Sequence, residues 1–171
     1  MHTPTLPDGY NTVNPFVITK DALGYIAFVK DVFGAEEDAA AHTMDTDGLL
    51  LHAELIIGNS RIMVADTKPN WPTTPGLLQL YVDDVEATLA RAKKHGARIV
   101  TKPTDFFGDS FSRFIDPWNN LWWVYQHIPQ TEAQWDASDD EASDVSWEPT
   151  EEMRYLHDTL LEAMEQLNKK P

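Results

Sequence analysis

Length, composition and charge make this chain an ordinary folded protein and exclude several classes. Its 171 residues are 42% hydrophobic and 11% aromatic, include no cysteine and carry a formal net charge of −15. That content suits one domain with a substantial core plus an appendage. The lack of cysteine excludes disulfides, thiolate zinc sites and cysteine nucleophiles, and the negative charge argues against a nucleic-acid partner. No apolar run approaches the roughly 18 residues of a membrane span, and the N-terminus lacks a signal-peptide pattern. We therefore expect no membrane association and a cytoplasmic location.

The first half of the chain predicts a strand, a helix and three more strands. Residues 1–11 show little periodicity and are predicted to form a flexible arm. A strand is expected over 12–19, after which Asp21 caps a helix that Gly34 ends. Three further strands are predicted at 42–45, 49–57 and 61–65. The pair Gly58-Asn59 is a strong signal for a two-residue hairpin between the last two.

The same order of elements returns in the second half. A strand at 77–82 precedes a helix that Asp84 caps and Gly96 ends, and a further strand is expected at 98–101. The repeated order indicates a duplicated module. Its two copies span 12–66 and 77–129, and a loop rich in proline and threonine joins them at 67–76.

The segment 105–127 ends the second module with a predicted β-hairpin. Alternating residues and a β-branched, aromatic run predict its two strands, at 111–115 and 121–125. Between them Asp116 can cap the turn, and Asn119 or Asn120 tolerates the left-handed conformation that such a turn usually needs.

Several motifs occur together in the order of one known family. They are the paired βαβββ modules, a helix ending in Phe-Gly-Ala-Glu, the segment from Leu51 to Gly58, and the pattern Phe-Phe-Gly-Asp-x-Phe followed by Asp-Pro. In these features the chain resembles the vicinal oxygen chelate superfamily, and within it the PhnB-like glyoxalase/bleomycin-resistance branch. The resemblance covers about 12–129. It implies an α+β fold of eight strands in two curled mixed sheets, each forming half of a cavity, in a homodimer. Pairing of the modules within one chain and exchange between two chains both satisfy these patterns.

The resemblance also implies where metal ligands would lie. Metal-dependent members of the superfamily take ligands, typically His and Glu, from the first and last strands of each module. Here the first-strand positions hold Asn14 and Leu77, the last-strand position of the second module falls at Trp123, and its counterpart falls among residues 63–65. Leucine and tryptophan are not metal ligands. We therefore expect no metal site at these positions and no cofactor.

A displaced divalent-metal site is the alternative. His52 and Glu54 point to one face of their strand, and His42 or Asp66 could complete a ligand set with them. The simpler interpretation is a hydrogen-bonded strand histidine beside a paired or rim carboxylate.

The aromatic hairpin suggests a ligand pocket. If Trp123 faces a cavity, Leu121 and Tyr125 share its face, while Trp122 and Val124 pack toward the helices. Polar side chains among the aromatic ones would orient a ligand. The pocket candidates are His52, Glu54, Phe107, Arg113, Trp123 and Tyr125. For each of them ordinary core packing is the alternative.

The C-terminal appendage has two parts. An acidic linker is predicted at 130–148, and a helix that Pro149 begins is predicted at 149–171. The helix has one apolar stripe, formed by Met153, Leu156, Leu160, Leu161, Met164 and Leu167. Because an isolated helix of this length is marginal in water, we expect the stripe to dock on its own domain or on a second copy, rather than on another protein.

Three functions fit these patterns. The first is a metal-independent protein that binds a small aromatic or amphipathic molecule. The second is a metal-dependent glyoxalase-like lyase, isomerase or extradiol dioxygenase with a displaced metal site, and the third is protein interaction through the tail. The missing metal ligands favour the first, with a homodimer as the assembly. The sequence does not name the ligand.

Overall fold

A computed structural model of the protein describes residues 5–72, 74–129 and 148–167. The predicted acidic linker lies outside the described residues except for Glu148. Within these ranges no helix is both long and apolar enough to cross a membrane.

The first module forms a mixed sheet, called sheet 1, with one helix. Its elements are β1 (Phe16–Thr19), α1 (Ala22–Phe33), β2 (Glu36–Glu37), a 3-10 turn (Ala39–Ala41), β3 (Thr43–Met44), β4 (Leu50–Ile57) and β5 (Ser60–Asp66). The strand order is β1-β5-β4-β2, and β3 also pairs with β4. β1 runs parallel to β5, whereas the other pairs are antiparallel.

The second module repeats this plan in sheet 2. Its elements are β6 (Leu77–Tyr81), α2 (Val85–Lys94), β7 (Arg98–Phe106), β8 (Asp109–Ile115) and β9 (Leu121–His127), followed by the C-terminal helix α3 (Glu151–Leu167). The strand order is β6-β9-β8-β7, with β6 parallel to β9. The predicted α+β fold with two mixed sheets and a C-terminal helix is confirmed. The sheets do not close into a barrel.

Local signals placed both module helices correctly. The carboxylates of Asp21 and Asp84 accept hydrogen bonds from the amides three residues further on, at 3.2 and 2.9 Å. Gly34 and Gly96 adopt φ angles of 69° and 90° just beyond the helices, where a residue without a Cβ is favoured.

Most strands differ from their predicted bounds by one or two residues, but β1 and β7 differ by more. β1 starts at Phe16 because Asn14 is held in a turn, where its side chain donates to the Asn11 carbonyl at 2.6 Å and accepts from the Asn11 amide at 3.1 Å. β7 continues to Phe106. Its pairing with β8 shifts register between Thr101 and Thr104, so Pro103 lies at an irregularity where a missing amide is tolerated.

One core joins the two modules. We call the face of each sheet that packs on α1 and α2 its inner face, and the opposite face its outer face. The core contains residues from both helices and both inner faces, among them Tyr25, Phe28, Leu55, Val64, Leu89, Phe114, Trp122 and Val124. The helices also touch each other, since the Arg91 Nε donates to the Val32 carbonyl at 2.8 Å. Because the inner faces share this core, the outer faces point away from each other.

A buried aspartate holds the turn before β9. One Asp116 oxygen accepts from the amides of Trp118 and Asn120, both at 2.9 Å, and the other accepts from the Asn120 side chain at 2.9 Å and the Trp122 indole at 2.8 Å. Asn119 adopts φ 66°, as predicted. Burial raises the pKa of Asp116 although all four donors favour the carboxylate. The turn thereby fixes Trp122, whose ring lies 4.7 Å from that of Phe33.

Replacing this carboxylate should destabilise the whole domain. Asp116→Ala leaves buried donors without an acceptor, so we expect a loss of about 3 kcal/mol in the free energy of unfolding, measured by urea titration. The exposed Asp83 has no hydrogen bond through its side chain within the described residues, and Asp83→Ala should change stability by less than about 0.5 kcal/mol. Equal effects of the two substitutions would contradict this role.

Candidate functional site

A row of side chains crosses the outer face of sheet 2. Thr101 pairs with Arg113, Arg113 pairs with Trp123, and Trp123 pairs with Gln79, so the row includes one residue from each of the four strands. Leu121 and Trp123 belong to a cluster on this face, whereas Trp122 and Val124 lie in the shared core. The predicted alternation along β9 is confirmed for these four residues.

The guanidinium of Arg113 packs against two aromatic rings that also contact each other. Its Cζ is 4.5 Å from the Phe111 ring centroid and 4.3 Å from that of Trp123. Its Nη1 donates to the Leu156 carbonyl at 2.7 Å and to the Thr101 hydroxyl at 3.2 Å. Burial lowers the pKa of Arg113 to about 10, because a charged group loses hydration there. This residue is therefore a buried cation in contact with two aromatic rings.

Tyr125 extends the aromatic surface along β9. Its ring centroid lies 4.7 Å from that of Phe111 and 5.4 Å from that of Tyr81. Burial raises the pKa of Tyr125, so the phenol stays protonated at neutral pH.

The C-terminal helix covers part of this face. The Tyr155 hydroxyl accepts from the Lys102 amide at 2.8 Å, and the hydroxyls of Thr159 and Thr101 are 2.9 Å apart. Docking of the helix on its own domain is therefore observed.

The face that the helix buries differs from the predicted stripe. Leu156 and Ala163 are buried, and Leu160 and Leu167 pack nearby. Leu161, by contrast, is 51% exposed, and Met164 is exposed as well. The stripe included these two residues incorrectly, because the small Ala163 lets the helix approach the sheet on a neighbouring face.

A polar cluster occupies the outer face of sheet 1. Glu54 accepts hydrogen bonds from His52 at 3.0 Å, from Tyr10 at 2.8 Å and from Arg61 at 2.5 Å, and Arg61 also pairs with Asp38 at 2.9 Å. Burial favours the protonated acid, but the donors outweigh it and hold the pKa of Glu54 below its ordinary value. The simpler interpretation of His52 and Glu54, a hydrogen-bonded histidine and a paired carboxylate, agrees with these contacts.

Sequence reasoning missed three members of this cluster. The predicted hairpin register places Arg61 opposite Ile56, near Glu54, so that residue could have been found from the turn. Tyr10 and Asp38 reach Glu54 and Arg61 from distant parts of the chain. No local pattern marks them.

Glu54 and Arg113 occupy equivalent positions in the two modules. Glu54 pairs with Met63, which pairs with Phe16 on the first strand of its module. Arg113 pairs with Trp123, which pairs in the same way with the first-strand residue of the second module. The duplicated modules therefore carry opposite charges at one equivalent position of their outer faces.

The predicted pocket residues lie in three places. His52 and Glu54 lie on the outer face of sheet 1, while Arg113, Trp123 and Tyr125 lie on the outer face of sheet 2.

Phe107 lies apart from both outer faces, in the turn between β7 and β8. It is 82% exposed and has a φ angle of 48°. With Met153 and His157 of α3 it lines a groove of about 600 Å³.

A separate cleft of about 790 Å³ lies where the modules meet. Leu80, Ile57 and Trp122 are among its lining residues, and none of the six predicted pocket residues lines it. One chain thus does not bring the six together.

Comparison with known families assigns the chain to a superfamily. A model of the Glyoxalase/Bleomycin resistance protein/Dioxygenase superfamily matches residues 11–124. The chain belongs to this superfamily. An uncharacterised protein from Mycobacterium bovis is similar to it, with 31% identity over 128 residues that cover 68% of this chain and 83% of the relative.

Several solved structures share the fold. Protein PA1353 from Pseudomonas aeruginosa is 20% identical, with a TM-score of 0.57 and coverage of 70% of this chain and 99% of that one. The fosfomycin resistance protein FosX from Listeria monocytogenes is 18% identical, with a TM-score of 0.53 and coverage of 73% and 96%. At these identities the likeness concerns the fold alone.

The superfamily's usual metal positions do not fit a metal ion in this chain. Leu77 and Trp123 offer no ligand atom, and the side chain of Asn14 bonds to the Asn11 backbone. No group of three His, Asp or Glu side chains in the described ranges is placed to hold a metal.

The residues of the alternative, displaced metal site are not brought together either. Glu54 is occupied by its three donors, His42 bonds to Glu37 at 2.6 Å, and Asp66 accepts from the amides of Ala22 and Leu50. His42 and Asp66 therefore have partners other than the His52–Glu54 pair.

Lowering the pH should reduce the contribution of the Glu54 cluster to stability. The pKa of Glu54 is lowered on folding, so its contribution to stability is present above the ordinary value of 4.5 and is lost as pH falls through the folded pKa. We expect Glu54→Gln to cost about 2 kcal/mol at pH 7, measured by urea unfolding, and to cost progressively less below pH 4.5. Glu36→Gln, at an exposed position of β2, is the control and should show no such convergence.

Proposed function

We propose that this protein binds a small aromatic or amphipathic molecule without a metal ion, on the outer face of sheet 2. The observation that carries this proposal is the environment of Trp123. It occupies the position where a metal-dependent member would present a ligand, and it stacks instead on Arg113 beside Phe111 and Tyr125. Aromatic faces favour a flat ligand, and a single cation gives that ligand a preferred orientation.

FosX provides a contrast within the same fold. Its E126Q variant was crystallised with Mn(II) and 1S,2S-dihydroxypropylphosphonic acid. Because this chain carries Leu77 and Trp123 where the resemblance to the superfamily implies metal ligands, we propose binding by aromatic and cationic contacts. We also place the chain in the PhnB-like branch, on the motifs that it shares with that branch.

We further propose a homodimer that completes the site. The two outer faces point away from each other in one chain, so a closed cavity needs sheet 1 of a second copy. Phe16 is 55% exposed on the outer face of sheet 1, and Leu77 and Tyr81 are exposed on sheet 2. Burial of such surface contributes about 25 cal/mol per Å².

Ligand binding should quench tryptophan fluorescence without metal. Titration with a panel of aromatic and amphipathic compounds should yield at least one saturable quench, because a stacked ligand contacts the Trp123 ring. EDTA should leave the titration unchanged. Trp123→Phe should remove most of the signal change, whereas Trp71→Phe, at an exposed loop position, should preserve it.

Two results would contradict metal-independent binding. One is an unchanged signal across a broad panel. The other is near-stoichiometric iron, manganese, nickel or zinc in protein purified without chelator or affinity tag, lost when His52 or Glu54 is replaced. The second result would restore the displaced metal site and a metal-dependent enzyme.

The dimer depends on the outer face of sheet 1. We expect sedimentation equilibrium to give about twice the chain mass of 19.4 kDa. Phe16→Asp should shift the protein toward monomer because it buries a charge in the interface, while circular dichroism stays native. Leu23→Asp adds the same charge on the exposed side of α1 and should leave the dimer intact. A monomeric wild-type protein would refute the assembly.

A further inference from the structure

Two buried N–H groups beneath α3 lack an acceptor. Within the part of the chain that the structure describes, neither the Arg113 Nε nor the Trp123 Nε1 has a hydrogen-bond partner. Buried donors are nearly always paired, and each unpaired one costs free energy. Both belong to one cluster, because the Arg113 Cζ lies 4.3 Å from the Trp123 ring centroid.

The charge of Arg113 is also unmatched. The residue is 4% exposed, and its hydrogen-bond acceptors among residues 5–72, 74–129 and 148–167 are two neutral oxygens, from Thr101 and Leu156. A buried guanidinium ordinarily pairs with an oxyanion, whose two oxygens match its planar donors. What this cluster lacks is therefore an oxyanion, and a carboxylate offers two oxygens in one plane to such donors.

We propose that Arg113 and Trp123 form a binding site for an aromatic carboxylate, and that α3 competes with this ligand for the site. The inference rests on the proposed function and names its ligand class. The carboxylate accepts from Arg113 and from the Trp123 indole, and it replaces the Leu156 carbonyl that α3 supplies. The aromatic ring of the ligand packs against Phe111 and Tyr125, which already stack on each other.

The proposed competition requires that α3 be displaced from this face. Among its residues Leu156 and Ala163 are buried, while Leu161 and Met164 are exposed. Its polar contacts with sheet 2 include the Thr159–Thr101 hydroxyl pair. A ligand that binds when the helix is displaced has an apparent affinity reduced by the fraction of protein in that open state. Holding the helix down must then weaken binding, and loosening it must strengthen binding.

The first experiment tests the ligand class on the full chain. Benzoate is titrated against ¹⁵N-labelled protein, and the N–H signals of the Arg113 Nε and the Trp123 indole are followed by NMR. Both should shift saturably with benzoate, and not with neutral benzamide or with sodium chloride at matched ionic strength. Loss of a charged hydrogen-bond partner is worth roughly tenfold or more in affinity, so Arg113→Gln should weaken benzoate binding by that factor.

A control substitution at a second arginine distinguishes binding of the anion from anchoring of the helix. Arg98 lies on the same sheet and donates to Gln166 of α3, so Arg98→Gln removes a positive charge and a contact with the helix. It should not weaken benzoate binding, and it should tighten binding by no more than about twofold, because an exposed contact contributes little to holding the helix. Trp123→Phe preserves an aromatic ring without the N–H donor, and it should weaken binding by roughly fivefold even if Arg113→Gln fails to fold.

The second experiment tests the competition. The chain has no cysteine, so Thr101→Cys with Thr159→Cys introduces one candidate crosslink where the hydroxyls are 2.9 Å apart. Oxidation should reduce benzoate affinity at least tenfold, and reduction of the same sample should restore it. Thr159→Val removes the hydroxyl contact and should tighten binding about threefold.

The outcomes distinguish the two proposals. Aromatic compounds that bind this face with no preference for the carboxylate, or equally in Arg113→Gln, would overturn the ligand class and leave the proposed function standing. Equal benzoate binding by oxidised and reduced protein would overturn the competition with α3. If neither charged nor neutral aromatic compounds shift the two N–H signals, both the inference and the proposed function fail.

Discussion

The packing of Trp122 against α1 is the contact on which the rest of the structure depends. Trp122 belongs to sheet 2, yet its ring stacks on Tyr25 and Phe33 of the first module, and the Asp116 carboxylate holds its indole N–H. The two modules are therefore joined through their inner faces. Because one side of each sheet is used in this way, both outer faces remain on the outside of the chain. The core thus decides where a ligand site can lie.

The outer faces differ although the modules are copies. Glu54 and Arg113 take equivalent positions, but Glu54 is paired within sheet 1 while Arg113 packs against Phe111 and Trp123. A guanidinium in contact with two rings keeps favourable electrostatic contact without a counter-ion, which explains how a cation is accommodated under α3. Trp123 and the covering helix α3 together keep this cation away from water.

Sequence patterns correctly predicted the features that depend on residues close together in the chain. Asp84 accepts from a neighbouring amide, Asn119 takes the left-handed turn position, and Trp122 and Trp123 divide between the two faces of β9 because side chains alternate along a strand. The predicted length of β7 was too short, because the irregular pairing of this strand with β8 tolerates Pro103. The prediction of the buried face of α3 was wrong, because hydrophobicity alone does not show that Ala163 lets the helix approach the sheet more closely than Leu161 does.

The sequence by itself determined the duplicated α+β plan and the superfamily, and it showed Leu77 and Trp123 at positions where metal ligands were expected, since these depend on residue type and order. Only the tertiary structure decided that His52 and Arg113 lie on opposite outer faces, and that α3 covers one of them. It also brought Tyr10 to Glu54. Such contacts join residues far apart in the chain. Their formation depends on how whole faces pack, which no short stretch of sequence encodes.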